Sequence, residues 1–381
     1  MDITMTKFPK TVSFSGELLE EMKKNATPDF LSAIKATAEE KLATPLYAVT
    51  ERKWRAVSGN PHDYSSISTY WWPNPDTPDG LPYVRRDGYT TPAAKDPITY
   101  EAMAKKAFDL ALAAYYLDNE EYGRAAEKTL YDWHLNPETY MNPHAEYSQA
   151  IPGISTGRGI GIIDFSMRTF IVFDTVAILE SLGYISAENL AALKKWYTEF
   201  TDWMLTSEKG IDEELERNNH GTYYDLHMLA AAIFLNRPSL AKKICKSAYE
   251  NRIKSEMEPS GAQPLELART MALVYSLSNL SAYSIIANMA ERVGHPEYWQ
   301  ADEKFGDSAI KKAVDYLYPY YKNPETFPYQ EIRYEITHLR MARMLACLDE
   351  HFEGEGYGER AREIIAAHAT EIPDFMRYPL K

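Results

Sequence analysis

One segment of the sequence joins two amides, an imidazole, a glycine and two phenols: Arg217-Asn218-Asn219-His220-Gly221-Thr222-Tyr223-Tyr224. A charged stretch precedes it, and the apolar run Met228–Leu235 follows it. Amide and imidazole groups can stabilise a developing anion, and a phenol can transfer a proton, so polar residues at the mouth of a buried helix are typical of an active site. The alternative is structural: Asn218 or Asn219 serves as a helix N-cap, and the histidine is an ordinary packed residue.

Helical spacing adds to this picture. If a helix begins near Asn219, then His220, Tyr224 and His227 lie on one face, with Tyr223 four residues from Asn219. For His227 a structural role is the expectation. A metal site at His220 and His227 is not expected, because zinc helices favour closer spacing and a nearby third ligand.

A second segment, Gln263–Thr270, is followed by Tyr275 and Asn279. Glu266 and Arg269 stand three residues apart, which is also the spacing of a surface ion pair that contributes little. They open a strongly apolar stretch, however, where an exposed pair is not expected. Arg269 and Tyr275 lie about 120° apart on an ideal helix, so they can serve one site only if Arg269 lies at or before the helix start.

Three further features of the sequence bear on function. Glycines surround Arg158 in Gly157–Gly161, but their spacing is not that of a P-loop or of a dinucleotide-binding motif. This pattern favours a role for Arg158 as a single cation at the edge of a cleft. The run Trp71-Trp72-Pro73-Asn74-Pro75 is equally consistent with a rigid aromatic platform and with a loop pinned to the core. Asp164 and Asp225 are the candidates for a hydrolytic carboxylate pair, but nothing in the sequence pairs them.

These residues must be positioned by helices. Residues 58–97 are rich in Pro, Gly and aromatic residues, which forbids a long helix there, and residues 136–164 form a second irregular stretch. The remaining pattern is helical, with one or two helices in Leu18–Ala43 and Pro28 in a first turn. The other predicted helices are Ile98–Leu117, Glu120–Leu135, Phe165–Leu182, Ala187–Ser207, Gly221–Leu235, Leu240–Ile253, Leu265–Val293, Ala309–Tyr321, Arg333–Leu348 and Arg360–Ala367.

Turns are predicted near Asp118, Gly183, Asn236, Gly294 and Gly354, at a spacing that fits a repeated helical hairpin. No β-alternating segment of useful length is found. We therefore predict an all-α fold, an α/α toroid that forms an incomplete barrel of antiparallel hairpins, with the two long loops building a cleft at one end. An open solenoid fits the same helical repeat as the toroid does. Residues 1–381 are predicted to form one catalytic domain.

Composition narrows the class of protein. The chain has 381 residues, of which 13% are aromatic. Its net charge of −14 argues against nucleic acid and anionic membranes as partners. No apolar run is long enough for a membrane helix. Cys245 and Cys347 lie in apolar contexts and are expected in the core. Residues 1–30 lack the regions of a signal peptide, which a processed protein would have lost.

Four motifs together resemble the alginate-lyase family of polysaccharide lyases, most nearly polysaccharide lyase family 38 and more distantly family 5. They are STYWWPNP, QAIPGISTGRGIGIID, RNNHGTYYD and PLELARTMALVYSLSNL, and the resemblance runs from about Tyr70 to Tyr329. It implies an α/α toroid that cleaves uronate polymers by β-elimination without a metal or other cofactor. One departure is that Ser276 follows Tyr275, whereas in family 5 the tyrosine lies one residue further from the arginine and a histidine follows it.

Carried over by position, the resemblance implies Tyr275 as the acid/base, with Asn219, His220 and Arg269 neutralising the C5 carboxylate. Donors around that carboxylate would stabilise an enolate-like transition state, and a tyrosine with a lowered pKa would take the C5 proton. On guluronate, His220 would be the second base. Substrate contacts are expected from a wider set of residues: Trp71, Trp72, Gln149, Arg158, Tyr223, Tyr224 and Glu266.

The expected substrate is therefore an anionic polysaccharide, alginate rich in mannuronate, with glucuronan as the second possibility on the same mechanism. An inverting glycoside hydrolase on the same toroid would instead use two carboxylates about 6.5–9.5 Å apart. A non-catalytic sugar-binding protein would keep Trp71 and Trp72 but would not need Asn219, His220 and Arg269. A polymer substrate implies a periplasmic or secreted enzyme.

Overall fold

The described residues, 8–334 and 338–368 of this computed structural model, form α-helices joined by short turns and by two long irregular stretches. In chain order the helices are α1 Gly16–Lys24, α2 Pro28–Leu42, α3 Tyr100–Leu117, α4 Glu120–His134, α5 Ile163–Ser166, α6 Thr169–Leu182, α7 Ala187–Thr206, α8 Glu208–Leu215, α9 Asn219–Phe234, α10 Pro238–Ser247, α11 Lys254–Glu256, α12 Pro264–Leu267, α13 Ala272–Arg292, α14 Ala309–Lys322, α15 His338–His351 and α16 Tyr357–Ala367. The all-α prediction is confirmed for these residues.

The predicted turns fall where the helices end. Asp118 adopts a left-handed conformation after α3, and the side chain of Asn119 accepts the backbone N–H groups of Glu121 and Tyr122 at the start of α4. Gly183 ends α6 with a φ of 70°, which glycine adopts without strain. Pro28 is the first residue of α2, as predicted.

Several boundaries differ from the predictions. The predicted helix Leu265–Val293 is broken into α12 and α13, and Leu240–Ile253 passes at Ala248 from α10 into a π-helical turn. Helix α8 was missed because its residues are mostly charged; Ser207 caps it by accepting the N–H of Gly210. In the predicted helix Arg333–Leu348, residues 335–337 lie outside the described ones, and α15 begins at His338.

Four short strands of two to four residues form two small sheets in the described part of the chain, although the sequence shows no β-alternating segment of useful length. Strand β1 (Ser65–Ile67) pairs in parallel with β4 (Tyr147–Ala150). Strand β2 (Trp71–Trp72) pairs antiparallel with β3 (Val84–Arg85). Strands of two to four residues are too short to show alternation in a sequence. The β1–β4 pair joins the two predicted loops, 58–97 and 136–164.

The described residues divide into two compact units. The first comprises residues 8–17 and 35–216, and the second comprises residues 18–34, 217–334 and 338–368. The prediction of one catalytic domain over residues 1–381 stays a prediction.

An aromatic core holds the first unit together. Helix α3 packs against α4 and α6, and Trp133, Phe165 and Tyr197 are almost completely buried. The hydroxyl of Tyr197 lies 2.8 Å from that of Tyr100 and 2.8 Å from Nε2 of His134. Burial lowers the pKa of His134 to about 4, so this imidazole is neutral and structural.

The second unit is built around α13. This helix packs against α9, α14 and α15, while α9 also packs against α10 and α15 against α16. The phenol of Tyr223 on α9 hydrogen-bonds to Oγ of Ser278 on α13 at 2.7 Å. The packing of α9 on α13 brings the two chemistry-bearing segments of the sequence into the same unit.

Candidate active site

Helix α9 begins where the Asn-Asn-His motif lies. The side chain of Asn218 accepts the backbone N–H of His220 at 2.9 Å, so Asn218 is the N-cap and Asn219 the first helical residue. The structural alternative is thus correct for Asn218 and not for Asn219. The helix N-terminus adds a partial positive charge, which favours an anion beside Asn219 and His220.

Glu266 holds Asn219 at two points. The backbone N–H of Asn219 donates to Oε1 of Glu266 at 2.6 Å, and its side-chain amide donates to Oε2 at 2.8 Å. Asn219 is 3% exposed and Glu266 is 1% exposed. Burial raises the pKa of Glu266, while the two hydrogen bonds from Asn219 and the charges of Arg269 and His220 oppose the rise. Glu266 was predicted to contact substrate; its buried oxygens instead orient Asn219.

Arg269 lies in the turn between α12 and α13, before the helix that carries Tyr275. Arg269 thus lies before the start of α13, which is the condition under which Arg269 and Tyr275 can serve one site. The guanidinium carbon of Arg269 lies 4.2 Å from the centroid of the Tyr275 ring, a close cation–π contact. Both side chains are half-buried, so they are held by the protein and still reach its surface.

Hydrogen bonds fix the start of α13 relative to its neighbours. The side chain of Gln263, before α12, donates to the backbone oxygen of Ser276 at 3.0 Å and accepts from Asn279 at 2.9 Å. The carboxylate of Glu331 accepts the N–H of Leu273 at 2.7 Å. The turn that carries Arg269 is thus tied to the helix that carries Tyr275.

Two aromatic residues of the motif lie in the core. Tyr224 is 0% exposed, and the hydroxyl of the buried Tyr223 is already engaged by Ser278, so the predicted substrate contacts of these two residues are not offered by this conformation. His227 is also completely buried, and burial lowers its pKa to about 3, so it is neutral and structural, as expected. His220 is half-buried at the start of the helix.

A second polar group lies in the first unit, around Arg158. Its Nε donates to the backbone oxygen of Gln149 at 3.2 Å, and its Nη2 donates to Oγ of Ser68 and to Oε1 of Gln149. The Gln149 side chain in turn donates to Asp164 at 3.0 Å, and Tyr64 donates to the same carboxylate. Arg158 and Gln149, predicted separately, are therefore neighbours.

The local backbone explains the sequence around Arg158. Gln149 has a φ of 51°, which is uncommon for a residue other than glycine and is often found at functional positions. A Cβ atom on Gly157 would lie 2.1 Å from the backbone oxygen of Glu146, and one on Gly161 would lie 2.5 Å from that of Ser148. These two glycines let the segment around Arg158 pack closely against β4.

The predicted aromatic platform is half-buried on β2. The ring nitrogen of Trp72 donates to the backbone oxygen of Tyr89 at 2.9 Å, and the guanidinium carbon of Arg86 lies 5.2 Å from the Trp72 ring centroid. Sequence reasoning missed Arg86 at this ring. It also missed Ser66 and Ser68, whose alternating positions on and after β1 were the available signal. Sugar contact at Trp71 and Trp72 stays a prediction.

Among residues 8–334 and 338–368, no group of three or more His, Cys, Asp or Glu side chains is arranged to hold a metal ion. Within the same residues, no helix is long and apolar enough to cross a membrane. Metal-independent chemistry stays a prediction.

Cys245 is buried, as predicted, and Cys347 is half-buried; neither forms a disulfide.

Comparison with known proteins identifies the family. The family model described as alginate lyase matches residues 48–327. The crystal structure of an alginate lyase from Bacteroides ovatus is similar over 93% of this chain and 96% of that chain, with 31% identity and a TM-score of 0.87. No curated protein matches significantly.

A more distant likeness supports the fold alone. Alginate lyase A1-III from Sphingomonas species A1 shares 14% identity over 88% of this chain and 93% of that chain, with a TM-score of 0.54. The predicted fold class, an α/α toroid of helical hairpins, is confirmed by these matches. From the family match and the likeness at 31% identity, we conclude that the chain belongs to the alginate-lyase family and is a polysaccharide lyase.

Proposed function

We propose that the protein cleaves alginate, with a preference for mannuronate-rich chains, by β-elimination. Family membership and the likeness to the alginate lyase from Bacteroides ovatus support alginate as the substrate. The observation that carries the mechanism is the guanidinium of Arg269 against the ring of Tyr275, in the unit where Glu266 fixes Asn219. A phenol next to a fixed cation is suited to proton transfer near an anionic sugar.

The reaction removes a weakly acidic proton. The phenolate of Tyr275 takes the proton from C5 of the uronate, and negative charge develops on the neighbouring carboxylate. The second N–H of the Asn219 amide, with His220 and Arg269, stabilises that charge, helped by the N-terminus of α9. The electron pair then forms the C4=C5 double bond as the C4–O bond breaks, and Tyr275 returns the proton to the leaving oxygen.

Stereochemistry supports the preference for mannuronate. In mannuronate and glucuronate the C5 proton and the leaving oxygen lie on the same side of the ring, so one tyrosine can serve both steps. Guluronate requires a second base on the opposite face, which we assign to His220. The group around Arg158 and Gln149, with Trp71 and Trp72, is proposed to bind further sugar units of the polymer.

A hydrolytic mechanism has less support. Asp164 accepts hydrogen bonds from Gln149, Tyr64 and Ser66, and Asp225 accepts one from Nε of Arg252 at 3.0 Å. Both carboxylates are thus already engaged in structural networks. A hydrolase would release reducing ends without a double bond, whereas a lyase creates an unsaturated uronate that absorbs ultraviolet light.

The decisive experiment measures ultraviolet absorbance during incubation with polymannuronate, polyguluronate and glucuronan. We expect the fastest rise with polymannuronate; no rise on any of the three would contradict the proposal, and a faster rise on glucuronan would reassign the substrate. Tyr275→Phe should lower kcat by about 10³-fold while the protein still binds polymer. Tyr318→Phe is the matched control, because Tyr318 is also half-buried under an arginine, with Arg360 5.4 Å from its ring centroid.

If Tyr275→Phe retained full activity, the proton transfer would belong to another residue.

Because alginate is a polymer outside the cytoplasm, we also propose that the enzyme acts in the periplasm or after secretion. Fractionation of the producing cells would test this placement, and recovery in the cytoplasm would contradict it.

A further inference from the structure

The first unit contains a groove that the proposed reaction does not use. Its volume is about 440 Å³, within the range of small-ligand sites, about 300–1,000 Å³. It is lined on one part of the chain by Trp54, Arg55 and Val57, on β1 by Ser65 and Ile67, and elsewhere by residues 150–156.

This groove is separate from the group around Arg158. Ser66 donates to Asp164, and Ser68 accepts from Arg158, whereas Ser65 and Ile67 line the groove. Because successive side chains along an extended strand point to opposite faces, Ser66 lies on the face of β1 opposite to Ser65 and Ile67. The groove is therefore a different surface from the one that carries Arg158 and Gln149.

The charge of the groove favours an anion. Arg55 is charged and exposed, and none of the lining residues, all of which the structure describes, is a carboxylate. The whole chain, in contrast, carries a net charge of −14. Lys53 lies nearby, with its amine 5.9 Å from the centroid of the Trp54 ring. One N–H of Arg55 donates to the backbone oxygen of Thr50, and the guanidinium has further N–H groups for a ligand.

The apolar part of the groove fits a sugar ring. The Trp54 ring is fixed because its Nε1 donates to the backbone oxygen of Ala93 at 2.6 Å. Val57 and Ile154 are 71% and 56% exposed, which is high for apolar side chains that line a groove. The C–H face of a pyranose packs on such aromatic and aliphatic surfaces, and a guanidinium binds a carboxylate with two parallel hydrogen bonds.

We propose that this groove is a second, non-catalytic binding site for a uronate unit of the polysaccharide. The inference rests on the proposed function for the identity of the sugar. A polymer bound here would keep its other uronate units at a high local concentration around the enzyme, an effect that a short oligosaccharide with few units cannot give. The groove should therefore matter for long polymers and not for short oligosaccharides.

Two exposed substitutions test the groove: Arg55→Glu reverses its cation, and Ile154→Asp places a carboxylate in it. Each should raise KM for long polymannuronate about 3- to 10-fold and leave kcat, and kcat/KM for a mannuronate tetramer, unchanged. Lys242→Glu is the control for the charge change, because Lys242 is exposed on α10 in the second unit. Thermal unfolding of each variant checks that the fold is intact.

Retardation in gels that contain alginate gives a second readout that needs no turnover, and both groove variants should be retarded less than Lys242→Glu. If the wild type cleaves polymannuronate but both groove variants match Lys242→Glu in KM and in retardation, the groove proposal is wrong and the proposed function stands. If no polyuronate is cleaved, the proposed function fails, and retardation still decides the groove. A dimer that Ile154→Asp dissociates without changing KM would show a contact between copies and contradict the proposal.

Discussion

Asn219 is positioned by a single carboxylate that binds both its backbone and its side chain. Glu266 accepts two hydrogen bonds from Asn219, and both residues are almost completely buried. A hydrogen bond to a charged group contributes about 1.5–3 kcal/mol, more than a neutral one. The amide is thus fixed before substrate arrives, and no reorganisation is needed when negative charge develops.

Glu266→Gln should therefore impair catalysis, although residue 266 does not contact the substrate. Glutamine has one acceptor oxygen, so one of the two Asn219 N–H groups would face an amide nitrogen. We expect kcat/KM on polymannuronate to fall about 10- to 100-fold, which corresponds to the loss of one charge-assisted hydrogen bond.

The double variant separates positioning from direct contact. If Glu266 acts through Asn219, adding Glu266→Gln to Asn219→Ala should cause little further loss. Additive losses would show that Glu266 has an independent function. Glu297→Gln, at a half-buried carboxylate that pairs with His295, controls for the charge change.

At the scale of elements, the start of α9 and the break before α13 decide which side chains can meet. A continuous helix over Leu265–Val293 would place Arg269 and Tyr275 about 120° apart. The chain instead leaves the helix after Leu267 and re-enters at Ala272, which frees the Arg269 side chain to lie over the Tyr275 ring.

Asn218→Ala tests the start of α9. The substitution removes the side-chain acceptor for the N–H of His220, and loss of such a cap costs about 1 kcal/mol of stability. We expect a lower thermal unfolding midpoint and weaker binding of uronate oligosaccharides, because the end of the helix would fray beside His220. Asn218→Ser, which can still cap, should restore both; an unchanged midpoint in Asn218→Ala would show that the cap is dispensable.

At the scale of the whole molecule, stability depends on buried charges as well as on the apolar core. The side chain of Glu256 is 5% exposed, and neither of its oxygens has a hydrogen-bond partner among the described residues. Guanidinium nitrogens of Arg252 and Arg217 lie 3.8 and 4.0 Å away. Burial raises the pKa of Glu256 to about 8; these arginines oppose the rise, and Glu266 and Asp225 add to it.

This raised pKa makes folding stability depend on pH. Between the ordinary value of 4.5 and about 8, the folded protein holds a proton on Glu256 that the unfolded chain releases. The free energy of unfolding therefore falls as pH rises through this window and levels off above it. Glu256→Gln is neutral throughout, so it should lose less stability than the wild type between about pH 5 and pH 9. Unfolding midpoints at both pH values measure the difference; equal losses would show that Glu256 is ionised throughout.

The sequence by itself determined most of the helices, the turns between them, the two irregular stretches and the family. Helical periodicity, capping residues and glycines are local signals, and RNNHGTYYD and PLELARTMALVYSLSNL are contiguous. The same local evidence placed Arg269 and Tyr275 within one segment but left their relation open. It also assigned Tyr223, Tyr224 and Glu266 to the substrate, because residue type does not reveal burial.

Tertiary structure decided which polar groups meet and which are withdrawn from solvent. Glu266 reaches Asn219 across 47 residues of sequence, and Ser68 reaches Arg158 across 90. Such contacts depend on which helices pack together and on the pairing of β1 with β4, and local periodicity reveals neither set of partners. The groove beside Trp54 has the same origin, since its lining comes from three separate stretches of sequence.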